Sequence, residues 1–159
     1  MSSFALWALI PALPIAIWVA WSDLARMKIP NKAVLALLAV FVVVGVITLP
    51  LEVYLWRFAH IAVVLALGFV MSITGLVGAG DAKFAAAMAP FVAVSQATNM
   101  MAIFAAAVIL TFVLHRLARV SPLRRLVPEW ESWERTRDFP MGVPLAVSLI
   151  VYLGLSVAA

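Results

Sequence analysis

The sequence contains no cysteine and only two histidines. The absence of cysteine excludes disulfides, cysteine nucleophiles and thiolate metal sites. His60 and His115 are far apart in the chain, and a zinc site needs more ligands than the sequence offers at short spacing. Neither an H-E-x-x-H pair nor a G-x-S-x-G turn occurs. The sequence therefore predicts no metal site, and we expect no cofactor.

Charge is also scarce. Charged side chains make up 11% of the 159 residues, whereas hydrophobic ones make up 67%, with a mean hydropathy of +1.16. About a quarter of the residues are charged in an ordinary soluble domain. So few charges cannot cover a surface that faces water. The composition excludes a soluble globular enzyme, a disordered chain and a nucleic-acid-binding module, and it predicts a protein whose surroundings are the lipid bilayer.

Long apolar runs are what the sequence has instead. A helix needs about 20 apolar residues to cross a hydrocarbon core of about 30 Å. Six runs approach this length, of which the fourth is short and interrupted by Pro90; they cover 4–21, 33–49, 58–77, 82–98, 100–115 and 140–158. The polar segment 95–99 marks the least distinct boundary. The sequence predicts an all-α polytopic membrane protein of about six transmembrane helices, forming a single domain over 1–159.

The basic residues predict how these spans are oriented. If six spans alternate, ten of the eleven lysines and arginines lie on one side and only Arg57 lies on the other. By the positive-inside rule the basic side is cytoplasmic, so both termini face outward. Segment 116–139 then forms a basic cytoplasmic loop, which we interpret as a headgroup-binding segment, with a docking surface for partner proteins as the alternative. No charge falls in the middle of a predicted span.

Two acids stand out because both lie at predicted cytoplasmic ends of spans. They are Asp23, after the first span, and Asp81, before the fourth. Two carboxylates on facing helix ends can share one proton, so that one acts as a base on water and the other polarises a peptide carbonyl. A structural role is the alternative, because Asp81 can cap a helix and Asp23 can pair with Arg26 or Lys28.

Glycines cluster just before the second acid, at Gly75, Gly78 and Gly80. Glycine permits a positive φ and lets another chain approach closely. Irregular backbone at membrane depth is tolerated only where protein or water satisfies it. We interpret Gly78 and Gly80 as residues that shape a site in which an extended substrate lies beside Asp81. A flexible turn between helices is the alternative.

Three further residues flank the two acids. Pro30 and Asn31 follow the first acid and are typical of the start of a new helix. Lys83 follows Asp81 closely, where its charge can tune the acid or its ammonium can hold a substrate carbonyl. The alternative for Lys83 is that it extends to the lipid headgroups.

Taken together, these patterns resemble a known family. The string Asp-x5-Ile-Pro-Asn starts at Asp23, and Gly-x-Gly-Asp-x-Lys starts at Gly78. Both motifs, in this order and on the same predicted side of the membrane, are similar to those of type IV prepilin peptidases, which are GxGD aspartyl proteases. A third partial match is Pro140-Met141-Gly142, where the family often has Pro-Tyr-Gly. The resemblance implies that Asp23 and Asp81 are catalytic and that no cofactor is needed.

The resemblance also implies a substrate and a cellular setting. Such enzymes cut prepilins or pilin-like precursors after a glycine, at the cytoplasmic face of the bacterial inner membrane. Larger members carry Cys-x-x-Cys motifs and N-methylate the new terminus. The cysteine-free chain is similar to the short, peptidase-only form of tight-adherence (Flp-type) pilus systems, so pilus or secretion assembly proteins are expected partners. Archaeal preflagellin peptidases share the motif pair.

Two other functions are compatible with the composition. One is a small proton-linked transporter or channel subunit, since acids at membrane depth also mark proton paths. A transport path favours an acid near mid-bilayer, and the sequence shows none. The other is a non-catalytic pilus-assembly scaffold with the same fold.

Overall fold

The regular structure of the chain is helical throughout the residues described in a computed structural model, which are 2–135 and 138–158. The helices are α1 (Ser2–Arg26), α2 (Asn31–Thr48), α3 (Leu51–Ile73), α4 (Ala79–Met88), α5 (Ala97–Val120) and α6 (Gly142–Ala158). Four segments are long and apolar enough to cross a membrane, namely Ser3–Arg26, Asn31–Thr48, Leu51–Ile73 and Val94–Val120, and α6 is a shorter apolar helix. The prediction of an all-α polytopic membrane protein is confirmed.

The fourth apolar run differs from the others, as its proline indicated. Helix α4 has only ten residues and continues as two short 3₁₀ turns, Ala89–Phe91 and Val94–Gln96. Pro90 ends the α-helix because it lacks an N–H and its ring clashes with the preceding turn. Helix α5 then begins at Ala97, inside the polar segment 95–99 that the sequence marked as a boundary.

Arg57 is placed differently from the sequence expectation. We expected it in an outward loop, yet α3 begins at Leu51, so Arg57 lies within the helix and is only 3% exposed. The prediction that Arg57 lies in the loop between the second and third spans is therefore wrong, because it lies near the start of α3. Its Nη1 donates to the carbonyls of Pro90 (3.0 Å) and Phe91 (3.3 Å), and its guanidinium lies 5.0 Å from the ring centre of Phe4. These carbonyls are available because α4 ends early, and with the ring they compensate the buried cation.

The packing depends on small residues as much as on large ones. Helix α1 packs mainly on α6 and α2, while α3 packs mainly on α4. Ala8, Ala12 and Ala16 recur every fourth residue of α1 and are buried, so neighbouring backbones can approach closely. A Cβ added at Gly68 of α3 would lie 2.8 Å from the Cβ of Ala82, so α3 and α4 are nearly in backbone contact. Helix α4, with Asp81 near its start, is thus held firmly by α3.

The loop between α5 and α6 is anchored by aromatic rings. Trp133 stacks on His115 of α5 (ring centres 5.0 Å apart) and on Trp130 (5.6 Å). Trp130 in turn meets Trp21 of α1 edge-on, at 5.2 Å. Trp133 is buried in protein, with 3% exposure. The rings hold the loop against the ends of α1 and α5, and the loop leads directly into α6.

Candidate active site

The first acid lies one turn before the end of α1. Asp23 is 5% exposed, and its backbone carbonyl accepts a hydrogen bond from the N–H of Met27 (2.9 Å). Met27 has a φ of 52°, a left-handed conformation that ends the helix and turns the chain. The hydroxyl of Ser22 donates to the carbonyl of Lys28 (2.8 Å) and closes this turn. Helix α2 then starts after Pro30, as the sequence predicted.

The side chain of Asp23 is held by a distant part of the chain. Its Oδ2 accepts a hydrogen bond of 2.6 Å from the backbone N–H of Gly142, the first residue of α6. A Cβ on Gly142 would lie 2.9 Å from that oxygen and 3.0 Å from the Cβ of Asp23. Real Cβ atoms essentially never approach other heavy atoms more closely than 3.0 Å. The contact therefore requires glycine at position 142.

The turn that leads to the second acid also depends on a glycine. Helix α3 ends at Ile73, and Gly75 has a φ of +77°. The N–H of Gly75 donates to the carbonyl of Ser72 (3.1 Å), and the N–H of Leu76 donates to that of Met71 (3.0 Å). This pair of bonds is the Schellman arrangement, which needs a left-handed residue at this position. Gly75 thus reverses the chain between α3 and α4.

Asp81 is the third residue of α4, and its carboxylate accepts a hydrogen bond from the backbone of Gly78, the N-cap residue. This is one half of a capping box, in which the N3 side chain reaches back to the N-cap N–H. A Cβ on Gly78 would lie 2.6 Å from Oδ2 of Asp81, so Gly78 leaves room for the carboxylate. The nearest atom to a Cβ on Gly80 is 3.6 Å away, on Ile29, which is an ordinary contact.

Both aspartates line one cavity of about 730 Å³. The sequence-predicted residues Gly78, Gly80, Lys83 and Asn31 line it too, whereas Pro30 is not among the lining residues and acts as the N-cap of α2. The other lining residues come from the first loop, from the α3–α4 turn and from the segment before α6: Met27, Lys28, Ile29, Gly75, Leu76, Val77, Ala79, Arg135, Asp138, Phe139 and Met141.

The surroundings of Asp81 favour its protonated form at mildly acidic pH. Burial, and then the nearby charge of Asp23, raise the pKa of Asp81 to about 6, although the hydrogen bond from Gly78 acts in the opposite direction. Lys28, Lys83 and Arg135 also line the cavity. Arg135 forms exposed ion pairs with Glu131 (3.7 Å) and Asp138 (3.6 Å), which such exposure leaves weak. The site therefore holds one readily protonated acid beside a second carboxylate.

Sequence reasoning did not list Gly142 as a site residue. The signal was present in the Pro140-Met141-Gly142 string, but its meaning depends on a contact between residues 23 and 142. Arg135 and Asp138 were also missed, because they reach the cavity only through tertiary packing. The contact between Trp130 and Trp21 holds their loop near α1. In the parts of the chain that the structure covers, no group of three or more histidines and acids is placed to hold a metal ion.

A comparison with known protein families shows to which family the chain belongs. The profile of the type IV leader peptidase family matches residues 10–115, about two thirds of the sequence. The chain belongs to the type IV leader peptidase family. The matched segment of this family member includes both Asp23 and Asp81, whereas Gly142 lies beyond it. No match was found among curated proteins or among solved structures.

Proposed function

We propose that this leader peptidase family member is an aspartyl endopeptidase in which Asp23 and Asp81 form the catalytic pair. The observation that carries the proposal is their convergence. One acid ends α1 and the other begins α4, yet both side chains line the same cavity. Structural anchoring of each acid on its own does not require a shared cavity.

The chemistry needs only these two groups and water. One carboxylate removes a proton from water as the water attacks the peptide carbonyl, and the other, protonated, hydrogen-bonds the carbonyl oxygen. Burial, and then the charge of Asp23, raise the pKa of Asp81 to about 6, which favours its protonated form below that pH. Gly78 supports this site by leaving room for the carboxylate, while Gly80, Asn31 and Lys83 form its wall.

Family membership makes a pilin-like protein the substrate class. We propose that the precursor is cut after the glycine that precedes its hydrophobic segment, with its leader on the cytoplasmic side of a bacterial inner membrane. In this proposal residues 1–159 act as one peptidase domain, and 116–139 is its cytoplasmic loop. N-methylation is not part of the proposal, because the chain contains no cysteine pair. A pilin of the tight-adherence type is the first substrate to test.

The test is co-expression with such a prepilin, read as a mobility shift on a gel. Asp23→Asn and Asp81→Asn should each leave the precursor uncut, because neither amide can carry out the proton transfers of an acid pair. Glu129→Gln is the matched control, since Glu129 is exposed and lies outside the cavity lining. It should process the precursor at the normal rate.

Two results would contradict the proposal. One is normal processing by either aspartate variant while the protein is present in the membrane. The other is a precursor that remains uncut by the unsubstituted chain across several pilin classes, with a proton flux that depends on Asp81. The second result would favour the transporter alternative.

A further inference from the structure

The two aspartates accept hydrogen bonds of different origin. Asp23, buried, accepts from Gly142 on another helix at 2.6 Å, whereas Asp81, partly exposed, accepts from Gly78 on its own helix. Gly142 is the first residue of a 17-residue helix, so its N–H has no partner within that helix. The partial positive charge of a helix N-terminus favours a carboxylate over a carboxylic acid. The hydrogen bond from Gly142 therefore favours the ionised form of Asp23 and opposes the burial that disfavours it.

We infer that the backbone amide of Gly142 keeps Asp23 ionised, so that Asp23 is the base that activates water and Asp81 is the acid that carries the proton. This assignment of base and acid rests on the proposed function, because it presupposes that the chain hydrolyses a peptide bond. Gly142 acts through Asp23 and is a positioning residue. Its lack of a side chain is what brings the N–H within 2.6 Å of the carboxylate.

The packing of Gly142 makes this contact specific. A Cβ there would lie 2.9 Å, 3.0 Å and 3.1 Å from Oδ2, Cβ and Cγ of Asp23. All three atoms belong to the catalytic side chain, so α6 approaches no other group as closely at this point. Within the described part of the chain, the side chain of Asp23 makes one hydrogen bond, which it accepts from Gly142. Donors alone satisfy an ionised carboxylate, whereas a protonated one can still accept but also needs an acceptor for its O–H.

The groups that surround Asp81 favour the complementary state. Burial, and then the negative charge of Asp23, raise the pKa of Asp81 to about 6. Lys28, Lys83 and Arg135 also line the cavity and favour ionisation, but Arg135 is shared with Asp138 and Glu131. Two carboxylates beside each other hold one proton between them more easily than none. The proton then resides on the acid that lacks the α6 amide.

The reaction balances with these roles. Asp23 takes one proton from water as the water oxygen bonds to the carbonyl carbon, and Asp81 gives its proton to the carbonyl oxygen, forming a neutral gem-diol. Asp23 then protonates the amide nitrogen as the C–N bond breaks, and a gem-diol hydroxyl returns its proton to Asp81. The products are a carboxylic acid and an amine, and both aspartates regain their starting states.

Infrared difference spectroscopy of the full chain in lipid nanodiscs tests the assignment without a substrate. A protonated carboxyl group has a C=O stretch that an ionised one lacks, and the chain has only seven acidic residues. We expect a carboxylic acid band that titrates near pH 6. Asp81→Asn should remove this band. Asp23→Asn should keep it and move its titration to lower pH, because the neighbouring charge is gone.

The opposite pattern would overturn the inference, namely a band that survives Asp81→Asn and disappears in Asp23→Asn. Because no prepilin is present, this outcome says nothing against peptidase activity. Conversely, the expected spectra combined with a chain that cuts no prepilin would leave the proton assignment intact and contradict the proposed function.

Gly142→Ala tests the positioning role, with Gly154→Ala as the matched control on the same helix, where an added Cβ meets nothing within 4 Å. We expect Gly142→Ala to slow cleavage about tenfold or more, the cost of weakening a hydrogen bond to a charged group. In the pH–rate profile of Gly142→Ala, the acidic limb should move to higher pH because Asp23 becomes harder to ionise. The profile of Gly154→Ala should be unchanged. A shift of the alkaline limb alone, or equal effects of both variants, would contradict the role.

Discussion

The two aspartates are supported in contrasting ways. The carboxylate of Asp81 is held by Gly78, three residues earlier on the same short helix, whereas that of Asp23 is held by Gly142, at the far end of the chain. The first arrangement forms wherever the local sequence forms a capped helix. The second requires α1 and α6 to pack correctly and the intervening loop to close. Damage to local structure should therefore affect Asp81, and damage to tertiary packing should affect Asp23.

The largest effect should come from the local support. Gly78→Ala places a Cβ 2.6 Å from Oδ2 of Asp81 and must displace the carboxylate, so we expect prepilin cleavage to fall at least about tenfold. Gly80→Ala adds a Cβ whose nearest neighbour is 3.6 Å away and should cut at nearly the normal rate. Time courses of precursor processing compare the two. Equal losses would show that the glycine segment acts through general flexibility rather than through Asp81.

A second effect should separate tertiary support from local support. Trp133 donates from its indole N–H to the carbonyl of Val127 (2.9 Å) and stacks on His115, so it anchors the loop that leads into α6. Trp133→Ala should destabilise the fold by about 3 kcal/mol, as truncation of a buried aromatic does, and lower the Tm by about 6 °C or more.

The control for this loop variant is Trp56→Ala, because Trp56 is 68% exposed and its loss should barely change the Tm. Cleavage by Trp133→Ala should show the altered acidic limb expected for a displaced Asp23. A variant that melts normally, or that shifts only the alkaline limb, would break the proposed link between the loop and Asp23.

The smallest effect concerns stability against pH. The pKa of Asp81 is raised from 3.8 to about 6, so between these values the folded chain holds more protons than the unfolded one. The stability contributed by this group therefore falls as pH rises from about 4 to 6, and the folded protein carries the full cost above 6. Asp81→Asn removes that cost while an amide oxygen can still accept from Gly78.

We therefore expect Asp81→Asn to raise the Tm by a few degrees at pH 7.5, with the difference shrinking towards pH 4.5. Thermal melts in one detergent across this pH range measure it. Asp138→Asn is the control, because Asp138 is exposed and its charge is already in contact with water. A Tm difference for Asp81→Asn that is constant across pH would exclude its buried charge as the cause.

Most of the fold features that the sequence predicted correctly depend on patterns within a few neighbouring residues. The apolar runs predicted the membrane helices, and Pro90 and the polar segment 95–99 predicted where the fourth run is interrupted. Gly75 has the positive φ that its place in a turn suggested. These features depend on backbone geometry and burial over a few residues, which a single sequence displays directly.

Long-range contacts account for what the sequence did not predict. Nothing in the sequence says what Gly142 or Arg57 contacts, and each acquires its role from a partner helix, Gly142 from α1 and Arg57 from the end of α4. The same reason explains why Gly78 and Gly80, which looked equivalent in the motif, differ in the structure. One Cβ would meet Asp81 and the other only Ile29 at an ordinary distance.

The buried position of Arg57 also bears on how the chain inserts into a membrane. Its guanidinium is occupied by the carbonyls of Pro90 and Phe91 and by the ring of Phe4. In the topology predicted from the sequence, it is also the only lysine or arginine on the side opposite to the other ten. In that predicted topology, burial of Arg57 would leave its side of the membrane without an exposed basic side chain. Arg57→Gln should leave the topology of the spans unchanged, since the charge serves the packing of α3 against the end of α4 and not the choice of side.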